Sequence, residues 1–131
     1  MGILFELGID NNDIKNMLEL CPEIVNMSDN EIKEKIDMLG YIGCSMRHIK
    51  NIIVCNPNYF DRINDNIFKL IDYLKKIGVS NINLLFDSNP YLLNKDVFEI
   101  EEYINNRREM GMSFEEILDE FECNPYIIDE N

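Results

Sequence analysis

Histidine, tryptophan and paired cysteines are scarce or missing in this sequence. It has one histidine, no tryptophan, and four cysteines of which no two form a Cys-x-x-Cys pair. Zinc sites need closely spaced cysteine and histidine ligands, so no metal site is expected. His48 could serve as a general base, but no nucleophile lies at a defined spacing from it. We therefore expect no catalytic residue, no cofactor and no enzymatic activity.

Positive charge and long apolar runs are also scarce. The 12 Lys and Arg residues are outnumbered by 25 Asp and Glu residues, which gives a formal net charge of -13. A negative field opposes contact with phosphate backbones and anionic membranes, and it favours a protein or cationic partner. No apolar run approaches the roughly 18 residues of a membrane-spanning helix, so no membrane association is expected.

The amino terminus lacks the basic segment with which a secretory signal peptide begins, and the unpaired cysteines suit a reduced protein. These features predict a cytoplasmic protein. Its richness in Asn, Ile and Lys is typical of an AT-rich genome, and from it we expect a bacterial source.

Proline and glycine are few but regularly spaced. The prolines, at steps of 35, 33 and 35 residues, are Pro22, Pro57, Pro90 and Pro125. Four glycines, each preceded by an apolar residue and at steps of 35, 35 and 33, are Gly8, Gly43, Gly78 and Gly111. Two markers that keep one period indicate an internal repeat, and hence a stack of like units.

The residues around each glycine predict two helices. Apolar residues spaced by three or four precede it, which indicates an amphipathic helix, helix B, that ends at the glycine in a left-handed conformation. Two residues after each glycine comes an N-cap type that should begin the next helix, helix A; these are Asp10, Ser45, Ser80 and Ser113. Ser28 with Glu31 and Ser113 with Glu116 predict capping boxes. The third unit is two residues shorter, so its helix A should be about half a turn shorter.

Each proline predicts a break and a new short helical turn. The residue before a proline is pushed out of the helical region, and proline suits the first helical position. Two apolar residues that follow at a fixed offset should plug into the core between helices A and B; they are Ile24-Val25, Tyr59-Phe60, Leu92-Leu93 and Ile127-Ile128.

The predicted fold is an all-α solenoid of about 3.5 helix–short turn–helix repeats. We expect a single domain over residues 1–131, with unit boundaries near 1–7 (partial), 8–42, 43–77, 78–110 and 111–131 (partial). The terminal units are apolar rather than polar, which predicts either self-association through one end or burial of the last apolar residues against the preceding unit.

This pattern resembles the repeat of the mitochondrial transcription termination factor (mTERF) family. The segments that carry the resemblance are Leu7–Val25, Ile42–Phe60, Ile77–Leu93 and Met110–Ile128. The resemblance implies a superhelix of repeated helices that binds duplex nucleic acid along a basic concave face. It also implies a role in organelle transcription or ribosome assembly.

The candidate contacts to a partner are basic residues that recur at one repeat position. Lys15 and Lys50 both lie seven residues after a glycine, and Lys75 and Arg108 both lie three residues before one. A solenoid could build a line of phosphate contacts in this way, although cations near a helix C-terminus also complement its dipole. Lys33 and Lys35 are interpreted as part of a solvated face.

Two functions remain open from the sequence. The acidic charge, dense over residues 99–122, favours a scaffold that binds a protein partner, and a solvated surface would show the same density. The family resemblance implies instead a nucleic-acid-binding regulator of transcription or RNA.

Overall fold

The computed structural model describes residues 2–129, and no strand occurs within that range. Met1, Glu130 and Asn131, which belong to the expected domain, lie outside the described residues. The α-helices are α1 (Gly2–Glu6), α2 (Asn11–Leu20), α3 (Asp29–Tyr41), α4 (Met46–Cys55), α5 (Asn64–Lys76), α6 (Ile82–Ser88), α7 (Val97–Glu109) and α8 (Phe114–Cys123). Four short 3-10 helices, here called proline turns, span Pro22–Asn26, Pro57–Asp61, Pro90–Asn94 and Pro125–Asp129. The predicted all-α helical-repeat fold is confirmed.

The repeat keeps nearly constant element lengths. The three B helices (α3, α5, α7) have 13 residues each, and three of the A helices (α2, α4, α8) have 10. Helix α6 has only 7 residues, which is almost a full turn shorter rather than half a turn. The prediction of Ser80 as an N-cap is wrong, because the shortened α6 begins at Ile82 and Asn81 flanks it. The backbone N–H of Ser80 donates instead to Glu122 Oε1, at 3.1 Å.

The four marker glycines end their helices as expected. Their φ angles are all positive, at 83° for Gly8, 97° for Gly43, 98° for Gly78 and 92° for Gly111. The Gly78 N–H donates to the Lys75 carbonyl (3.1 Å), and the Val79 N–H donates to the Leu74 carbonyl (3.0 Å). This pair of bonds is the Schellman motif, and the same pair recurs at the other three glycines.

Side-chain caps begin most of the helices at the predicted residues. Asp10, Ser45 and Ser113 accept backbone N–H bonds at the start of α2, α4 and α8. Both predicted capping boxes are present, and Asp96 forms a third one at the start of α7. The breaks between helices are therefore fixed by local hydrogen bonds.

The proline turns bury most of their apolar residues. Tyr59, Phe60, Leu92 and Leu93 are buried, as is Ile24, but Val25 is 59% exposed, so the prediction that it joins the core is wrong. Ile127 and Ile128 are half-buried. In unit 2 the buried Asn89 side chain, directly before the Pro90 turn, donates to the Pro125 carbonyl at 3.3 Å.

The chain divides into two compact units, here called unit 1 (Met1–Asn64) and unit 2 (Asp65–Asn131). The core of unit 1 includes Met17, Ile24 and Tyr59, and the core of unit 2 includes Leu70, Phe86, Ile117 and Phe121. The expected single domain with its repeat boundaries stays a prediction. Of the C-terminal apolar residues expected to be buried, Ile117 and Phe121 are buried, Ile127 and Ile128 are half-buried and Phe114 is exposed. That expectation is met only in part, and self-association stays a prediction. No helix within residues 2–129 is both long and apolar enough to cross a membrane.

Candidate functional site

The four predicted basic contacts are divided between the two units. Lys15 and Lys50 belong to unit 1, and Lys75 and Arg108 belong to unit 2. Lys15, Lys75 and Arg108 are exposed, and Lys50 is half-buried. The Arg108 guanidinium lies 6.0 Å from the centre of the Phe114 ring, within cation–π range. These side chains are placed where a ligand could reach them, and their role stays a prediction.

Lys35 is buried, so its interpretation as part of a solvated face is wrong. Only 6% of the residue is exposed. Its ammonium donates to the Arg62 carbonyl oxygen and lies 5.6 Å from the centre of the Tyr59 ring. The Tyr59 hydroxyl in turn donates to the Lys35 carbonyl at 2.6 Å. Burial lowers the pKa of Lys35 and raises that of Tyr59. The hydrogen bonds of Lys35 and Tyr59 join α3 to the Pro57 turn and the residue after it.

A second polar contact joins α7 and α8 in unit 2. Glu120 Oε1 accepts hydrogen bonds from the Tyr103 hydroxyl (2.6 Å) and from Arg107 Nε (2.8 Å). These donors, Tyr103 first, lower the pKa of the Glu120 carboxyl. The preceding repeat has Leu74 and Leu85, both buried, at the positions of Arg107 and Glu120. The last described repeat therefore has an ion pair, Arg107 with Glu120, where the preceding repeat has an apolar pair.

Unit 1 contains a cleft of about 330 Å³, here called cleft 1. Helix α3, the residues beside it and the Pro57 turn line it with Glu23, Met27, Glu31, Glu34, Lys35, Phe60, Asp61, Arg62 and Asn64. Four carboxylates thus share the cleft with two basic residues. One of these is Lys35, whose ammonium already donates to the Arg62 carbonyl oxygen. Its lining is acidic with apolar surface from Met27 and Phe60.

Unit 2 contains a cleft of about 300 Å³, here called cleft 2. It is lined by Lys95, Glu99, Glu102, Tyr103, Asn106 and Ile128. Lys95 Nζ lies 2.6 Å from Asp129 Oδ1 and 3.4 Å from Glu99 Oε2. The hydrogen bond that Lys95 donates to Asp129 is the main reason that the pKa of Lys95 is raised. Cleft 2 therefore holds one ammonium group, supplied by the chain itself.

Clefts 1 and 2 occupy equivalent positions of the repeat. Glu31 and Glu99 both lie nine residues after a proline, and the next lining glutamates, Glu34 and Glu102, lie twelve after it. The following proline turn supplies an apolar residue and an aspartate to each site, Phe60-Asp61 in one and Ile128-Asp129 in the other. The clefts differ five residues after the proline, where cleft 2 has Lys95 and cleft 1 has Met27, and thirteen residues after it, where cleft 1 has Lys35 and cleft 2 has Tyr103.

Sequence reasoning missed both clefts. The recurrence of Glu nine and twelve residues after a proline was a visible signal. What the sequence did not reveal is that helix B meets the next proline turn, which supplies the aspartate. Among residues 2–129, no group of three or more His, Cys, Asp or Glu side chains is arranged to hold a metal ion.

Comparison with known proteins agrees with this architecture. No curated protein matches the chain. The sequence profile of the mTERF family matches residues 1–129 of the 131, which is nearly the whole chain. Proteins of this family are helical-repeat scaffolds that usually bind nucleic acids. The glycine-capped helices and proline turns described above fit that match, and the chain belongs to the mTERF family.

Proposed function

We propose that this protein is a non-enzymatic scaffold whose direct ligand is another protein, in a cytoplasmic setting. The observation that carries the proposal is the pair of equivalent acidic clefts, each built from a B helix and the next proline turn. Carboxylates that line a cleft together with a few apolar residues complement a basic protein surface. The net charge of -13 extends the same preference over the whole chain.

The burial and ion pairing of several basic residues support the same proposal. Lys35 is buried, Lys95 is paired with Glu99 and Asp129, and Arg107 is paired with Glu120. Three of the 12 basic residues are therefore already buried or ion-paired within their own units. Duplex binding draws much of its strength from neutralising phosphates, so each committed cation lowers the attainable affinity.

Nucleic-acid binding is the second candidate, and membership of the mTERF family is the observation that favours it. Its contacts would come from the repeated cations Lys15, Lys50, Lys75 and Arg108. Four phosphate contacts would make the affinity fall on the order of a hundredfold between about 50 and 200 mM salt. A protein of this kind would act as a regulator of transcription or RNA.

A fluorescence anisotropy titration with a labelled random DNA duplex separates the two candidates. At about 150 mM salt we expect no sub-micromolar binding, because few free cations act against a repulsive field. Sub-micromolar binding that weakens in the double variant Lys75→Ala, Arg108→Ala would overturn the proposal and establish the second candidate. The matched control is the double variant Asn105→Ala, Asn106→Ala, which removes no charge.

A further inference from the structure

We propose that helix α8 and the Pro125 turn, here called the α8 segment, act as an acid-sensitive latch. The α8 segment docks on the preceding part of unit 2 while its carboxylates are charged, and it detaches in acid before the rest of unit 2 unfolds. The inference goes beyond the proposed function and does not depend on the identity of the partner. It is carried by the kind of contact that holds the α8 segment in place.

Glu120 makes the central contact between the α8 segment and helix α7. Its Oε1 atom accepts hydrogen bonds from the Tyr103 hydroxyl at 2.6 Å and from Arg107 Nε at 2.8 Å, and both contacts are partly buried. Hydrogen bonds to an ionised group are stronger than those between neutral groups. Protonation of Glu120 would therefore weaken both contacts at once.

Two further carboxylates of the α8 segment reach other parts of unit 2. Glu122 Oε1 accepts from the backbone N–H of Ser80 at 3.1 Å. Asp129 Oδ1 lies 2.6 Å from Lys95 Nζ. The hydrogen bond to the Pro125 carbonyl is neutral and does not respond to acid. Carboxylates thus fix the α8 segment to α7, to the residue before α7 that carries the ammonium, and to the loop before α6.

The preceding repeat docks its equivalent segment, helix α6 with the Pro90 turn, through apolar residues. Four repeat positions of that segment are buried, and they hold Leu85, Phe86, Leu92 and Leu93. The residues of the α8 segment at these positions are Glu120, Phe121, Ile127 and Ile128. Only Phe121 is buried, and the two isoleucines are half-buried. Apolar burial therefore contributes less to docking of the α8 segment, and charged contacts contribute more.

The groups packed around the two outer carboxylates favour their charged forms or are neutral. The Lys95 ammonium faces Asp129, and Glu99 lies 3.4 Å from the same ammonium. Uncharged residues line the cavity beside Glu122; they are Ser80, Asn81, Leu84, Leu85 and Ser88. Acid therefore removes attraction at Asp129 and the charge on the acceptor at Glu122.

The direction of the pH effect is clearest at Glu120. The hydrogen bonds from Tyr103 and Arg107 lower the pKa of its carboxyl from the ordinary 4.5. A carboxyl whose pKa is lowered by docking stabilises the docked state above its ordinary pKa, and this stability is lost as the pH falls through the docked value. The α8 segment should accordingly loosen below about pH 4.5.

The test is hydrogen exchange of the full chain, followed amide by amide with NMR at about pH 6.5 and about pH 3.5. Phe121 reports on α8, and Leu70 in α5 reports on the rest of unit 2. After correction for intrinsic exchange, acid should lower the protection of Phe121 roughly tenfold more than that of Leu70. A factor of ten corresponds to about one pKa unit summed over the three carboxylates.

A triple variant gives α8 the apolar contact of the preceding repeat. It combines Tyr103→Leu, Arg107→Leu and Glu120→Leu. The preceding repeat has buried leucines at these positions, namely Leu70, Leu74 and Leu85. The excess loss of Phe121 protection in acid should fall below roughly threefold, because two carboxylates of the latch remain. The matched control is Glu109→Gln, which removes an exposed carboxylate of α7 and should leave the tenfold excess unchanged.

Glu120→Gln decides the question if the triple variant does not fold, since it removes the charge and keeps the shape. It should lower the protection of Phe121 at about pH 6.5 and reduce its fall in acid. The proposal is overturned if Phe121 and Leu70 lose protection in parallel, because α8 would then unfold with the rest of unit 2. It is also overturned if Glu120→Gln, or a folded triple variant, keeps the full excess loss.

Discussion

The two compact units are built from the same repeat but secure their B helices in different ways. Unit 1 has 10 acidic and 6 basic residues, and unit 2 has 15 acidic and 6 basic residues. Lys35 in unit 1 and Tyr103 in unit 2 occupy one repeat position, thirteen residues after a proline, where the repeat between them has Leu70. Lys35 reaches a carbonyl oxygen, Tyr103 reaches a carboxylate, and Leu70 is simply buried.

The contact between a B helix and the next element therefore varies in chemistry at one position of the repeat, thirteen residues after the proline. Glycine caps and proline turns are constant because they set the backbone path. The position thirteen residues after the proline faces the next element, so its side chain decides whether that contact is apolar, hydrogen-bonded or charged. The acidic clefts lie beside this position in both units, since Lys35 and Tyr103 each line one.

The largest expected effect concerns the two tyrosine hydroxyl groups. Tyr59→Phe should lower the free energy of unfolding by about 1–1.5 kcal/mol, because it removes the hydrogen bond of a buried hydroxyl to the Lys35 carbonyl, which keeps only its donor within helix α3. Tyr103→Phe should cost less, about 1 kcal/mol or below, because Glu120 keeps Arg107 and is partly exposed. Urea denaturation of both variants measures the difference. Equal losses would show that the two contacts are equivalent.

Substitutions of two glycines in different conformations should change the free energy of unfolding by about 1 kcal/mol, in opposite directions. Gly78→Val should destabilise by about that much or more, because φ is +98° and a β-branched residue resists positive φ. A Cβ there would lie 3.8 Å from Leu118 Cδ1, an ordinary contact, so the cost is in the backbone. Gly40→Ala lies within helix α3 with no atom nearby and should stabilise by about 0.5–1 kcal/mol. Denaturation midpoints that shift in the same direction for both variants would contradict this explanation.

The smallest effect is the pH dependence of unit 2. The pKa of Glu120 is lowered from its ordinary 4.5, so the carboxylate contributes stability above that pH. That contribution is lost as the pH falls below about 4.5 and through the folded pKa. Glu120→Gln should therefore lose less stability than the unsubstituted protein between pH 6 and pH 3. Thermal melts at the two pH values measure this, with the exposed Glu109→Gln as control.

Local features were predictable because short-range interactions set them. The glycine caps, two of the capping boxes and the proline turns all depend on residues within about five positions of each other. Ser80 was misplaced because the shortened third unit moves the start of α6 to Ile82. Val25 was placed in the core by its spacing, yet its side chain is 59% exposed.

By itself the sequence determined the helices, most of their ends, the repeat period and the family, because these follow from backbone preferences and from spacing along the chain. The tertiary structure alone decided the burial of Lys35, the pairing of Arg107 with Glu120, and the two acidic clefts. Each of these joins residues that are 13 or more positions apart, such as Lys35 and Arg62 at 27 positions. A lysine next to glutamates in sequence is usually solvated. Only the packing of the Pro57 turn against α3 removes this one from water. The turn supplies the aromatic ring of Tyr59, and Arg62, directly after the turn, supplies the carbonyl oxygen that stabilises the charge.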